Sequence, residues 1–392
     1  MSTSETTVRP DRQGFRFCLE VFLATRVGLL LLGLISVGLF PPLDPVSVPG
    51  WVAHPMPDPG WDNLLTAWER FDALWFLRIA AEGYRASDGS AAFFPLYPLA
   101  TRLVSFAIGG HTFAAAMLVS NGAFFGALLV LHSLTRTELS ERAAKTTVLL
   151  LCLFPTSFFF LAPYSESLFF LLAVCALWAA RRERWAIAAA AGFGAALTRN
   201  VGVVVAAAIA AEALQQRWEG ERRSLLRGLA AAVAAGAGTF VYLAYWATRT
   251  GSWFAPVSQQ ANWERHRSWP WSTLVEGTRM AFRYIGDTNG GYWLIDWLII
   301  VPVLGASVYA LFRYRWAFSV YLWGGLLMPL SFVFEDRPLM SMPRFVLPLF
   351  PAVWAMAELA ERWKIPRWAV AGVGAAGLGL LVVLFVNWYY IF

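Results

Sequence analysis

Residues 17–40 read FCLEVFLATRVGLLLLGLISVGLF, and this stretch decides the fold class. A helix needs about 20 apolar residues to cross the hydrocarbon core of a bilayer, and this run is long enough to do so. The composition agrees, because 58% of the residues are hydrophobic and only 14% are charged, whereas a typical soluble domain is about 25% charged. The sequence therefore predicts an all-α polytopic membrane protein.

Further apolar runs follow along the chain and predict a single transmembrane domain of about eleven membrane-spanning helices. With the first run, they lie at 17–40, 112–135, 146–162, 165–180, 185–198, 201–215, 225–247, 292–312, 316–334, 345–361 and 368–391. The runs at 185–198 and 201–215 are short, and Arg199 and Asn200 separate them. We expect these two runs to be the halves of a broken hairpin.

Basic residues orient the predicted bundle. The run 93–108 could span the membrane or lie in the interface, because it is short and holds Pro95, Pro98 and Arg102. If it lies in the outer interface and the N-terminus is cytoplasmic, more than half of the 31 basic residues fall in short inner loops, as the positive-inside rule requires. We therefore expect a multi-pass plasma-membrane protein whose long segments 41–111 and 248–291 are extracytoplasmic.

The first outer segment holds the strongest candidate for catalysis. Residues 67–82 predict an interfacial helix with Trp68, Phe71, Trp75 and Ile79 on one apolar stripe. Asp72 lies on this helix beside large aromatics, where desolvation suits a carboxylate to general-base work. The alternative is an ordinary solvated charge next to a neighbouring arginine.

Three further charged residues are candidates for binding. Arg199 lies at the predicted helix break and could hold a phosphate or form a buried ion pair. Arg344 opens a span and could also meet a phosphate, or extend its charge to the membrane surface. Glu166, in the stretch Tyr164-Ser165-Glu166, could bind a sugar hydroxyl, whereas Ser165 as an ordinary helix N-cap is the alternative.

Several classes of function find no support. The four histidines are scattered without metal-ligand spacing, so no metal site is predicted. No glycine-rich phosphate loop stands between a strand and a helix, so a nucleotide cofactor is not supported. The net charge of +6 is spread in short clusters between apolar runs, which does not indicate a nucleic-acid partner.

Taken in order, several short motifs resemble the PIG-V type mannosyltransferases, the family of GPI mannosyltransferase II, which looks like a branch of the GT-C glycosyltransferases. The family usually has tryptophan where this chain has Phe71, and the aromatic character is kept. The matching stretches are FDALWF (71–76), FFPLYP (93–98), FPTSFF (154–159), YSESLF (164–169), TRNVG (198–202), Gln259 with Trp263, and PRF (343–345).

The resemblance implies a GT-C-like bundle and an inverting transfer of mannose from polyprenyl-phosphate-mannose on the outer face of the membrane. Asp72 would be the catalytic base, and Arg199 and Arg344 would bind the donor phosphate. The acceptor would be an envelope glycolipid, a glycan or a protein of a bacterial cell. No metal is required, although a divalent metal is not excluded. Substrate contacts are expected from Trp75, Tyr164, Glu166, Gln259 and Trp263.

The alternative from another class is a lipid or sugar transporter or flippase. Such proteins are typically built from inverted repeats with broken helices that meet at the membrane midplane. The chain offers one candidate broken hairpin, at 185–215, and no matching second copy. The enzyme is therefore the leading hypothesis.

Overall fold

The computed structural model describes residues 12–41, 43–44, 46–51, 60–86, 88–221, 224–259 and 265–391. Most of these residues are helical, and two short strands pair as one antiparallel ribbon. The α-helices are α1 (Arg12–Leu39), α2 (Asn63–Thr66), α3 (Asp72–Glu82), α4 (Leu96–Ala107), α5 (Thr112–Glu138), α6 (Glu141–Cys152), α7 (Glu166–Ala180), α8 (Trp185–Thr198), α9 (Val203–Trp218), α10 (Ser224–Thr250), α11 (Ala255–Ser258), α12 (Pro270–Arg283), α13 (Gly291–Arg313), α14 (Trp316–Leu330), α15 (Met342–Phe345), α16 (Phe350–Arg362) and α17 (Arg367–Val386). Short 3-10 turns occupy Ser90–Ala92, Ser157–Phe160 and Asn200–Gly202, and the strands are β1 (Arg265–Arg267) and β2 (Phe332–Phe334).

The all-α membrane fold is confirmed. Ten of the eleven predicted apolar runs coincide with an α-helix over most of their length, and the run 146–162 is α-helical only as far as Cys152. Within the described part of the chain, five helices are long and apolar enough to cross a membrane, namely α1, α5, α10, α13 and α17. The helices α7, α8 and α14 are apolar but shorter, so the number of about eleven spans stays a prediction.

Prolines explain where two helices depart from their predicted bounds. Helix α6 ends at Cys152, shortly before Pro155, because proline cannot continue the hydrogen-bond ladder of a helix. Helix α16 begins only at Phe350, with Pro351 in its first turn, a position that suits the fixed backbone angle of proline. The predicted runs 146–162 and 345–361 are therefore shorter as regular helix.

Small residues let the central helices α8, α9 and α10 pack closely. A Cβ atom added at Gly192 in α8 would lie 2.6 Å from the Cβ of Ala235 in α10. One added at Gly238 would lie 2.4 Å from the carbonyl oxygen of Phe193. Such small-residue contacts are typical of membrane helices, which lack a hydrophobic driving force between them.

The predicted interfacial helix at 67–82 is wrong in two respects. The helix begins only at Asp72, and its residues from Ala73 to Ala80 are all buried inside the protein. It cannot start earlier because Phe71 has a φ of +53°, which a right-handed helix does not allow. Arg78 is tolerated inside because it pairs with Asp88 at 2.7 Å. It is α4 that exposes an apolar face, at Leu99, Leu103 and Phe106.

Two clusters of buried charge lie at opposite ends of α7. Glu166 begins the helix, and Arg181 directly follows its last residue. Arg181 and Arg315 pair with the buried Glu212 at 2.9 and 3.0 Å. With 15 residues in α7 and about 1.5 Å of rise per residue, the clusters are about 22 Å apart.

Candidate active site

A cleft with an empty volume of about 780 Å³ lies where the segment 41–111, the α8–α9 break and α15 meet, and it is open at its mouth. It collects charged residues from four distant parts of the chain. Its walls are formed by Asp72, Phe76, Ala92, Phe93, Phe94, Ser165, Thr198, Arg199, Asn200, Arg265, Phe334, Ser341, Arg344, Phe345 and Tyr390.

Asp72 enters the cleft as the first residue of α3. A carboxylate in the first turn of a helix interacts favourably with the helix dipole. The residue before it, Phe71, has a positive φ, which is a strained conformation for a bulky side chain. Asp72 is therefore held at a defined turn, and its Oδ2 accepts a hydrogen bond from Nη1 of Arg344.

Arg344 lies in α15, directly after the left-handed Ser341 and the helix-starting Pro343. Its Nε donates to Oε1 of Glu166 while its Nη1 donates to Asp72. Burial alone would lower the pKa of Arg344, but these two carboxylates outweigh burial and raise the pKa above its ordinary value. Arg344 is therefore a permanently charged bridge between two acids.

Arg199 occupies the break between α8 and α9 in an extended conformation, with φ of −151° and ψ of 153°. The predicted broken hairpin is thus present. The break depends on Gly202, where an added Cβ would lie 2.2 Å from the carbonyl oxygen of Ala195. Nη1 of Arg199 donates to Oε1 of Glu166 and, at 3.3 Å, to Oγ of Ser165.

Glu166 is fully buried behind the cleft wall and joins the two arginines. Asp72, Arg344, Glu166 and Arg199 therefore form one chain of alternating charge. The sequence left two alternatives for Arg199, a phosphate ligand or a buried ion pair, and the structure contains the ion pair with Glu166. Ser165 occupies the N-cap position of α7, but its side chain makes no capping hydrogen bond, and a substrate role for Glu166 stays a prediction.

Arg265 also lines the cleft; the sequence indicated that its stretch, with Gln259 and Trp263, could shape a substrate cleft, but it gave Arg265 no role of its own. It begins β1 and pairs in register with Phe334 of β2. Its guanidinium lies 4.6 Å from the ring centre of Phe334 and 5.4 Å from that of Phe345, and Nη2 donates to Oγ of Ser341 at 3.2 Å. Burial lowers the pKa of Arg265 to about 10, so the group is charged at neutral pH. Its position in the polar segment 248–291 was the only feature of the sequence that indicated a place at the site.

Trp75 and Tyr164, two of the predicted contact residues, lie beside the cleft and are not among its lining residues. Trp75 stacks on Phe93 with ring centres 5.4 Å apart. Tyr164 donates its hydroxyl to the carbonyl of Arg70 at 2.9 Å and lines a small neighbouring cavity that also touches Asp72. These two side chains support the aromatic wall on either side of Asp72.

Gln259 lies behind the cleft wall, at the turn Ser90–Ala92. Its Oε1 accepts from the backbone N–H of Ala91 at 3.3 Å, and its Nε2 donates to the carbonyl of Ala86 at 3.0 Å. Trp263 lies outside the described residues. Substrate contact by either side chain stays a prediction.

A C-terminal segment, Phe385–Ile391, folds back against Arg70 and Phe71, the two residues before Asp72. Phe71 packs against the rings of Phe385, Trp388 and Tyr390 at centre distances of 5.4–5.7 Å. The preceding residue, Arg70, donates through Nε to the carbonyl of Val386 at 2.9 Å. These contacts hold the strained residue next to Asp72.

The same segment is anchored from its other side. Arg337 donates to the carbonyl of Ile391 at 2.8 Å and pairs with the buried Asp296 at 2.7 Å.

Among the described residues, no group of three histidine, cysteine or acidic side chains could hold a metal ion.

Comparison with known proteins gives one family and one fold. The sequence model of the family described as Mannosyltransferase (PIG-V) matches residues 29–235. The apo structure of ArnT from Cupriavidus metallidurans aligns with a TM-score of 0.51 and 15% identity, over 95% of this chain and 76% of that one. ArnT is a GT-C glycosyltransferase, so this likeness shows the GT-C fold.

Two further solved structures align less closely. ArnT from the same organism bound to undecaprenyl phosphate gives a TM-score of 0.49 at 14% identity, over 95% of this chain and 76% of that one. The Archaeoglobus fulgidus oligosaccharyltransferase with zinc and sulfate gives 0.41 at 14% identity, over 95% and 53%. The chain thus spans about half the length of that oligosaccharyltransferase. No curated protein matches the chain.

Proposed function

Because the chain belongs to the PIG-V mannosyltransferase family, and is therefore a membrane glycosyltransferase, we propose that it transfers mannose from polyprenyl-phosphate-mannose with inversion at the anomeric carbon. The observation that carries this proposal is the chain of charge from Asp72 to Arg199 in an aromatic cleft. Family membership also favours an enzyme over the transporter considered from the sequence.

One carboxylate suffices for this chemistry. Glycoside hydrolysis needs two, because a sugar alkoxide leaves poorly without a proton, but a phosphate leaves as a stable anion. Asp72 is the one acid among the described residues that line the cleft. Asp72 takes the proton of the acceptor hydroxyl, and the acceptor oxygen bonds to the anomeric carbon from the face opposite the phosphate. The bonding pair of the broken C–O bond goes to the phosphate oxygen.

Arg199 and Arg344 are proposed to stabilise the charge that develops on the leaving phosphate. Cations fixed in place before the reaction stabilise developing charge without reorganisation. Glu166 fixes both guanidiniums through the same carboxylate oxygen. The scheme requires no metal ion.

The acceptor is proposed to be an envelope glycolipid, glycan or protein. The reaction is placed on the extracytoplasmic face of the plasma membrane, because both segments that the charge distribution assigns to that face contribute residues to the cleft. Phe93 and Phe94 line the cleft and offer apolar faces to a lipid or sugar ring.

The test is mannose transfer by purified protein in lipid nanodiscs, with radiolabelled polyprenyl-phosphate-mannose and fractionated envelope lipids, glycans and proteins as acceptors. Asp72→Asn should lower kcat at least about 100-fold, the usual contribution of a positioned base. Asp287→Asn, an exposed acid of the second outer segment, is the matched control and should transfer normally. A folded Asp72→Asn protein with full activity would contradict the role of Asp72.

A further inference from the structure

The charges of the cleft do not cancel. Asp72 and Glu166 are matched by Arg344 and Arg199, through ion pairs that join all four side chains. Arg265 is the exception, because within the described ranges no carboxylate pairs with it, and its hydrogen bond goes to the neutral hydroxyl of Ser341. The five charged side chains of the cleft therefore sum to one positive charge, which belongs to Arg265.

Resting on the proposed function, we propose that Arg265 holds the phosphate of the lipid-linked donor before the reaction, and that Arg344 becomes a phosphate ligand only when Asp72 accepts the acceptor proton. The two cations thus act at different moments. Arg199 and Arg344 are occupied by carboxylates in the resting site, so they have little to offer an incoming anion.

Arg265 is built to bind such an anion. A guanidinium has five N–H donors in a planar fork, and the bond to Ser341 uses one of them. The guanidinium also contacts the rings of Phe334 and Phe345, and ring contacts do not replace the remaining N–H donors, which suit a bidentate contact with phosphate oxygens. Strand pairing of β1 with β2 fixes its backbone at the cleft wall.

The charges stay balanced through the reaction. A polyprenyl-phosphate sugar is a phosphodiester with one negative charge, which the excess charge of Arg265 neutralises. When the C–O bond breaks, the phosphate becomes a monoester and gains a second charge, as phosphomonoesters carry about −1.5 to −2 at neutral pH. In the same step Asp72 gains a proton and loses its charge, so the Nη1 side of Arg344 is released.

Arg344 can make this exchange without moving far. Its Nε remains bonded to Glu166, which keeps its charge throughout, and only the partner of Nη1 changes from Asp72 to the phosphate. Because the cleft gains one positive charge as the phosphate gains one negative charge, no net charge is created in a low-dielectric site. The phosphate product is then released when Asp72 gives its proton to solvent water and its ion pair with Arg344 forms again.

The test measures binding of undecaprenyl phosphate, the monoester product class, to the purified protein in nanodiscs by native mass spectrometry. Arg265→Gln should weaken binding at least about tenfold, from the loss of a charge-assisted contact. Asp72→Asn mimics the protonated base and should tighten binding about tenfold. Arg267→Gln, an exposed arginine on the same strand, is the control and should bind like the unaltered protein.

The outcomes separate the two proposals. If the unaltered protein does not bind the monoester, the lipid-phosphate donor and this inference both fail. If it binds but Arg265→Gln binds equally well, or Asp72→Asn binds no tighter, only the inference is overturned. Arg265→Lys keeps a charge without the planar fork and should restore part of the affinity, which a merely structural role for Arg265 does not predict.

Discussion

Replacing Glu166 with glutamine tests whether the two arginines need a charged anchor. One carboxylate oxygen of Glu166 accepts hydrogen bonds from both Arg199 and Arg344, and the side chain is fully buried. The amide keeps the shape and an acceptor oxygen but removes the charge. Arg344 would then keep Asp72 as its charged partner, and Arg199 would keep only the neutral hydroxyl of Ser165 and the amide oxygen.

The expected losses of stability and of kcat can both be given a magnitude. Removing one partner of a buried ion pair costs about 3–5 kcal/mol of folding free energy. Catalysis should also suffer, because Arg344 would bind Asp72 more firmly and make it a weaker base. Loss of one preorganised electrostatic contact typically lowers kcat about 100- to 1,000-fold. The donor KM should not rise, since Arg199 loses its carboxylate partner and is then freer to hold the phosphate.

The assay combines thermal unfolding in detergent with transfer kinetics well below the melting temperature. Glu212→Gln is the matched control, because Glu212 is equally buried and also contacts two arginines, Arg181 and Arg315, at the far end of α7. Both variants should lose similar stability, but only Glu166→Gln should lose kcat. Normal kcat in Glu166→Gln, or an equal loss in Glu212→Gln, would refute a specific role for Glu166.

Two further changes test how the backbone positions the site. Gly202→Ala should abolish transfer in folded protein, since its Cβ would lie 2.2 Å from the carbonyl oxygen of Ala195 and displace the helix break; Gly236→Ala, with its nearest contact at 3.7 Å, should be active. Trp388→Ala should cost about 3–5 kcal/mol of stability, seen as a lower melting temperature, and should lower kcat more than it raises KM; the exposed Trp363→Ala should change neither.

Much of the architecture was predictable because a membrane leaves few choices. Apolar runs must form helices in lipid, where every backbone group has to be satisfied internally, and ten of the eleven predicted runs are α-helical over most of their length. The break at Arg199 and Asn200 was also predictable, since this polar pair interrupts an alanine-rich stretch. The motif order brought Asp72, Glu166, Arg199 and Arg344 to one candidate site, and the structure places them in direct contact.

The rest of the site depends on tertiary contacts that no local pattern encodes. The apolar stripe at 67–82 predicted a helix on the membrane surface, but a positive φ at Phe71 starts the helix later, and packing buries it on all sides. The stripe could not reveal this, because lipid and a protein core favour the same side chains. The sequence gave Arg265 no individual role, because its place at the cleft depends on its pairing with Phe334, which joins strands from two distant segments.

The contact between Arg70 and Val386 spans 316 positions of the chain, and this has a consequence for biogenesis. Domains of a nascent protein form in the order of synthesis, with N-terminal parts first. Asp72 therefore leaves the ribosome long before the segment that shapes its neighbour Phe71 has been made. A half-translated molecule therefore carries Asp72 before the contact between Arg70 and Val386 can form, so the cleft reaches its final geometry only late in synthesis.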